Sequence, residues 1–158
     1  MVATPLATLN PYIPLDVRKF YFVATIANTA APSRGELDAG TDLSPQVTDA
    51  TGWSISGTTV ESQSFVGTSL KLQGPKSIDD STLTFRLSKT TTDARTILTQ
   101  DLAGYIVVFA EGDVTGRKMD VFTVIVNALP KSPGIADPAT VQVQFAITAT
   151  PNMRVTVP

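Results

Sequence analysis

Hydrophobic and polar positions alternate with period two through most of the chain. In Lys19–Ile26, Phe20, Phe22, Ala24 and Ile26 alternate with Tyr21, Val23 and Thr25, the pattern of a strand with two distinct faces. Trp53–Val60 places Trp53 and Ile55 inward and Ser54, Ser56 and Thr58 outward. Phe65–Leu72 carries Val66, Leu70 and Leu72 on one face, and Gly74-Pro75 punctuates after it. In Ser81–Leu87, Leu83, Phe85 and Leu87 oppose Thr82, Thr84 and Arg86. Tyr105–Glu111 is almost wholly apolar, which predicts a strand buried on both faces, and Met119–Leu129 is long and valine-rich. Thr140–Thr150 sets Val141, Val143, Phe145, Ile147 and Ala149 against Thr140, Gln142, Gln144, Thr148 and Thr150. A last short edge strand is expected within 152–158.

The period changes once. Ala94, Ile97, Leu98 and Leu102 share a helical face, Thr91 or Thr92 is placed to cap it, and Asp93 suits its first turn. Gly104 is expected to end this helix in a left-handed conformation. Two stretches lack a period. Residues 1–18, with Pro5, Pro11 and Pro14, read as an extended arm. Residues 28–51 hold Pro32, Pro45, Gly35, Gly40 and four acids, and read as a long loop suited to ordering on a neighbouring subunit. The whole predicts a mainly β protein, a two-sheet β-sandwich or barrel with one short flanking α-helix, in a single domain spanning 1–158.

Composition narrows the chemistry. The 158 residues contain no histidine and no cysteine, which removes thiolate nucleophiles, cysteine–zinc sites and the commonest general base. Charged residues make up 16% and the net charge is −2, so the basic footprint of a nucleic-acid binder is missing. No apolar run is long enough to span a membrane, and Met1–Asn10 lacks the regions of a signal peptide. A surface with so few charges suits a protein that other protein covers.

No catalytic, metal or cofactor site emerges. Gly112–Lys118 has the wrong spacing for a phosphate loop and reads as a hairpin turn. Asp79 and Asp80 are adjacent and would face opposite ways on a strand, while Asp38 and Asp42 lack a calcium-loop pattern. Trp53, the sole tryptophan, reads as a core anchor with Phe85, Leu98, Phe122 and Phe145. Neither an enzyme nor a cofactor is expected.

From Asp79 onward the segments form a recognisable order. Asp79-Asp80-Ser81-Thr82-Leu83-Thr84-Phe85 leads to Thr92-Asp93-Ala94-Arg95-Thr96-Ile97-Leu98. Gly104-Tyr105-Ile106-Val107 and Gly112-Asp113-Val114-Thr115-Gly116-Arg117-Lys118-Met119-Asp120-Val121-Phe122 follow. With Trp53 opening a strand upstream, residues 50–127 resemble the major tail tube protein of long, non-contractile-tailed bacteriophages, especially those of actinobacterial hosts. The resemblance implies a structural protein assembled in the host cytoplasm into stacked six-membered rings, a component of the virion. It also implies a lumen that holds a tape-measure protein and later passes duplex DNA, with tail terminator and distal tail proteins as further partners.

Within that expectation, Arg34, Glu36, Asp38, Asp42 and Asp49 are candidates for contacts between rings. Ser54, Ser56, Thr58, Gln142, Gln144 and Thr148 are candidates for the lumen wall, because neutral polar side chains would not hold a polyanion in transit. A carbohydrate-binding β-sandwich, or another tube or terminator component of a phage or secretion machine, fits the same strand pattern.

Overall fold

The computed structural model describes residues 13, 17–63, 67, 69–78, 80–89, 92–132 and 138–158. Most of the expected arm, together with Phe65, Val66, Asp79 and Thr91, lies outside the described residues. The protein is mainly β, as the alternation predicts. The elements run β1 (Lys19–Val23), α1 (Arg34–Asp38), β2 (Thr41–Asp42), a 3-10 turn (Ser44–Gln46), β3 (Val47–Thr51), β4 (Ile55–Gln63), β5 (Ser69–Ile78) and β6 (Ser81–Arg86). They continue with α2 (Ala94–Ile97), β7 (Ala103–Phe109), β8 (Lys118–Ala128), β9 (Lys131–Ser132), β10 (Thr140–Ile147) and β11 (Asn152–Thr156).

Two sheets form. The larger runs β2-β1-β7-β8-β10-β6-β3, with β11 added on β8 and β9 on β10; the smaller is the β4–β5 hairpin. All described pairings are antiparallel. The two ends of the large sheet, β2 and β3, are separated only by residues 43–46, so the sheet must curl back on itself.

Curling puts apolar side chains on both faces of β1, β7 and β8. One face sends Phe20, Phe22, Ile106, Val108, Phe122 and Val124 into a core shared with Leu83, Phe85, Val141, Val143 and Phe145. The other sends Val23, Val107, Phe109, Met119 and Val121 against Ile26, Leu37 and Val157. This is why Tyr105–Glu111 reads as continuously apolar: β7 has a core on each side. Phe85, Leu98, Phe122 and Phe145 are completely buried. Trp53 is half-buried and closes this core, its ring 5.2 Å from Phe122, 5.5 Å from Phe145 and 6.3 Å from Phe20.

Four expectations change. The 28–51 stretch is not a featureless loop. It contains α1, β2, the 3-10 turn and β3, and it buries Leu37 and Leu43. The helix near 94 is one turn long, and Asp93 rather than a threonine is its N-cap, accepting from the Arg95 N–H at 3.1 Å. The helix stops because Leu98 turns extended while burying its side chain in the core. Gly104 does not end it. Asp101 takes the left-handed position (φ 62°), and Gly104 lies within β7, where a Cβ would come within 2.6 Å of the Phe22 ring. Finally, Gly74-Pro75 does not end the strand. It lies inside β5, opposite a register shift between Gly57 and Thr59, in an exposed strand where proline is tolerated.

Candidate assembly surface

Three surfaces emerge from this frame, each fixed by local sequence. The first is the outer face of β3, β6 and β10. Because Leu83, Phe85, Val141, Val143 and Phe145 point into the core, their neighbours point out, and the registers align them in rows. Thr51 pairs with Thr82 and Thr82 with Gln144; Asp49 pairs with Thr84 and Thr84 with Gln142. The Thr51 and Thr82 hydroxyls are 2.6 Å apart, and Thr48 donates to the Thr84 carbonyl at 3.1 Å. The result is a wall of hydroxyls and amides whose rows also hold one carboxylate, Asp49, and one guanidinium, Arg86, opposite Thr140.

The second is the flank built by 28–46. Ser33 caps α1 and Glu36 reaches back in a capping box. The Glu36 carboxylate also accepts from the Ala27 N–H at 2.7 Å, and that bond, before the ones from Ser33, holds it below the usual carboxylate range. Arg34 spans to the β7–β8 turn, where its two terminal nitrogens grip both oxygens of Asp113, one at 2.7 Å. Tyr21 donates its hydroxyl to the same carboxylate at 3.1 Å. The Arg34 bonds hold Asp113 below the usual range. Burial, then the bond to Asp113, pushes the Tyr21 phenol up to about 12.

The third is the β4–β5 hairpin, exposed over nearly its whole length. Its cross-strand partners share a face, so Val60 lies opposite Leu72 and Ser62 opposite Leu70. Val60, Leu70 and Leu72 remain 52%, 62% and 55% exposed, half of the exposed large hydrophobics among the described residues.

The anticipated site residues therefore separate. Gln142 and Gln144 lie together on the wall, and Asp49 joins them there rather than on the flank. Ser56 and Thr58 belong to the hairpin, where Ser56 pairs with the Ser77 hydroxyl at 2.8 Å and Thr58 donates to the Pro75 carbonyl at 3.0 Å. Ser54 and Thr148 are exposed outside the strands. Arg34, Glu36 and Asp38 hold α1 in place, and Asp42 faces Lys19 at 3.7 Å. Sequence reading missed Tyr21 and Asp113, which meet Arg34 across large separations in the chain, and the hydroxyl rows, whose alternation was visible but whose pairing was not.

Nothing in these surfaces gathers reacting groups. A groove of about 560 Å³ runs between the start of β1 and residues 42–50, lined by Arg18, Phe20, Asp42, Pro45, Val47 and Asp49. The carboxylates with displaced pKa values, Glu36, Asp93 and Asp113, are engaged in caps and arginine pairs away from it.

Comparison with known proteins agrees with a structural role. No curated relative matches the chain by sequence. Among solved structures, the fold is similar to a chain of the extracellular contractile injection system PVC sheath/tube terminator in its extended state, at 15% identity and a TM-score of 0.64, covering 93% of this chain and 99% of that one. It is similar to a chain of the PVC sheath–tube complex in its extended state, at 16% identity and a TM-score of 0.63, covering 92% and 93%. It is also similar to a chain from the tail of an empty GTA particle with C6 symmetry, at 12% identity and a TM-score of 0.51, covering 87% and 93%. The sequence matches the phage tail tube protein family over residues 11–158. These are structural components of particles, not enzymes. On that match, spanning almost its whole length, this chain belongs to the phage tail tube protein family.

Proposed function

We propose that the chain assembles head-to-tail into six-membered rings, and that these stack into the tail tube through which duplex DNA leaves the particle. The observation that carries this reading is the sparsely charged wall on β3, β6 and β10, lying beside a sheet edge that no other strand among the described residues pairs. Rows of threonine and glutamine, with Arg86 beside Thr140 as the one cation in the strand pairs of this face, give a passing phosphate backbone little to hold it. The outer edge of β3, unpaired among the described residues, is where a neighbour's strand can extend the sheet. A head-to-tail contact closes into a ring when its rotation closes, and six-fold symmetry in a tail of similar fold supports that number. The −2 of each chain becomes about −12 per ring, the sign that favours transit over binding.

In this reading Gln142, Gln144 and Asp49 face the lumen. The flank carrying Arg34, Glu36, Asp38 and Asp42 meets the next ring, with Arg34 and Glu36 fixing its shape. The partners are further copies of the chain, a tape-measure protein, and the terminator and distal tail proteins, with assembly in the host cytoplasm. The tail type is the long, non-contractile one, on the strength of the resemblance over 50–127; both injection-system neighbours come from contractile machines, so a sheath around the tube would overturn that part. A terminator ring is the second reading, favoured by the terminator among the similar folds, and copy number per particle separates the two.

Electron microscopy of the purified chain and of the particle tests the proposal. The expected result is a six-fold tube of this chain with the β3–β6–β10 face lining its bore. Monomers alone at high concentration, with no tube of this chain in the particle, would overturn it.

A further inference from the structure

The curled sheet leaves a seam. Its two end strands, β2 and β3, are not paired with each other among the described residues, and β1 extends beyond β2 at Lys19 and Phe20. The groove of about 560 Å³ lies along this seam, with the start of β1 on one wall and β3 on the other. Phe20, Val47 and Ala50 pack into the core beneath it. Lys19 and Asp42 face each other at 3.7 Å on its rim. The outer side of β3, away from β6, has no strand partner among the described residues, so its backbone N–H and C=O groups are open to one more strand.

The chain carries a segment of fitting chemistry. Residues 1–15 have no charged side chain, in a chain that is 16% charged, and Leu6, Leu9, Tyr12, Ile13 and Leu15 make them apolar. Pro5 and Pro11 bracket Leu6–Asn10, five residues that keep every backbone N–H. A sheet accepts a proline-flanked strand at its edge, where the prolines refuse a further strand. The segment also joins the body at the groove. Arg18, on the groove wall, follows Asn10 by eight residues, a reach of about 26–29 Å. That is enough to double back along a five-residue strand of about 17 Å. Ile13, between the two, is 72% exposed, as a connecting residue should be. We propose that residues 6–10 lie in the groove of their own free subunit as an added edge strand on β3. The tether selects them over a separate partner. A short linker holds its own segment at an effective concentration of about millimolar, far above that of a dilute subunit. Walls that carry both signs of charge give a nucleic acid little to hold. Seated there, residues 6–10 cover the edge that the tube reading gives to a neighbour, and so raise the concentration at which chains join. That regulatory part rests on the self-assembly reading; the docking itself does not.

The test uses the full chain as a dilute, dissociated subunit. In Thr48→Cys, the sole cysteine of that variant carries a nitroxide at the groove, and NMR reads the broadening it causes in backbone amides. The expected result is broadening that falls through 12–15 and rises again at 6–10. A steady decay from residue 16 toward Met1 would overturn the docking. So would broadening at 6–10 caused only by a spin label on a different chain. In a second variant, Leu6→Gly with Leu9→Gly removes the apolar anchors. Hydrogen exchange at the β3 amides that do not bond to β6 should then speed up at least about tenfold, with circular dichroism unchanged. Unchanged exchange would overturn the docking. The same variant should assemble at a concentration about tenfold lower than wild type. Faster exchange without easier assembly would overturn the regulatory part. If wild type never assembles, the tube reading fails, while the NMR and exchange results still decide the docking.

Discussion

The β3–β6 and β4–β5 pairs are two halves of one long hairpin, yet only the inner half, β3–β6, has a second layer. Thr51 faces Thr82 in it, and four residues further along each strand Ile55 faces Ile78 in the outer half. In β6, alternate side chains Ser81, Leu83 and Phe85 are completely buried. In β5, alternation continues but Leu70 and Leu72 face water. Strand pairing therefore decides which residues share a face, and the layer above decides whether that face becomes a core. The first breaking test follows from this. Phe85→Ala removes a fully buried ring from the body and should cost about 3–5 kcal/mol. For a domain of this size that lowers Tm by about 6–20 °C, read by thermal unfolding of the subunit. A substitution of the same kind at Leu72 should change subunit stability by no more than about 0.5 kcal/mol. Equal losses at the two positions would mean that the outer half is packed against its own body.

The bend between the halves, at Gly52, is the next place to press. Gly52→Ala puts a side chain on a left-handed residue against the Asp80 carbonyl, so both backbone strain and a clash oppose it. The expected cost is about 1–3 kcal/mol, smaller than the loss of a core ring because Trp53 and Ser81 still tie the bend. Thermal unfolding of the subunit measures it, and an unchanged Tm would show that the bend yields without strain.

Much of the body was legible in the chain. Leu83–Phe85 and Val141–Val143–Phe145 announce their inward faces by period two, and the apolar run at 105–111 announces a strand between two cores. The long hairpin was harder. Gly52, Gly74 and Pro75 look like stops, yet the structure absorbs one at a bend and the other two inside β5. The 28–51 stretch looks loop-like because its elements are short, and their apolar anchors, Leu37 and Leu43, are spaced for neither helix nor strand. Of the candidate surfaces, the alternation gave Gln142 and Gln144 but not their partners. Thr82, Thr84 and Thr51 join them only through registers set by β8 and the bend. The Arg34–Asp113–Tyr21 cluster is invisible to any local reading, since its members come from three separate segments.

That cluster separates the body from the outer half of the hairpin by a milder, pH-dependent effect. In the body, nearly buried Asp113 ties α1 to the β7–β8 turn through Arg34 and Tyr21, with Lys19 adding to its field. In the outer half, Glu61 and Lys71 meet at 3.9 Å and are exposed, a geometry that contributes little. Asp113→Asn should therefore cost about 1–2 kcal/mol at pH 7, discounted for the half-exposed Arg34. Because the folded pKa of Asp113 is depressed, its contribution is fully present above its unfolded value near pH 3.9 and is lost as pH falls through the folded value. The gap between wild type and Asp113→Asn should then close below about pH 4, while Asp93 and Glu36, present in both proteins, cancel from the difference. Tyr21 works from the other side. Its raised pKa means that stability held below pH 10 is lost as pH climbs toward about 12. Hydrogen exchange across that alkaline range should show 34–38 and 113–117 opening while the β4–β5 amides stay unchanged. Opening of both together would show that the outer half is coupled to the flank rather than held only at its bend.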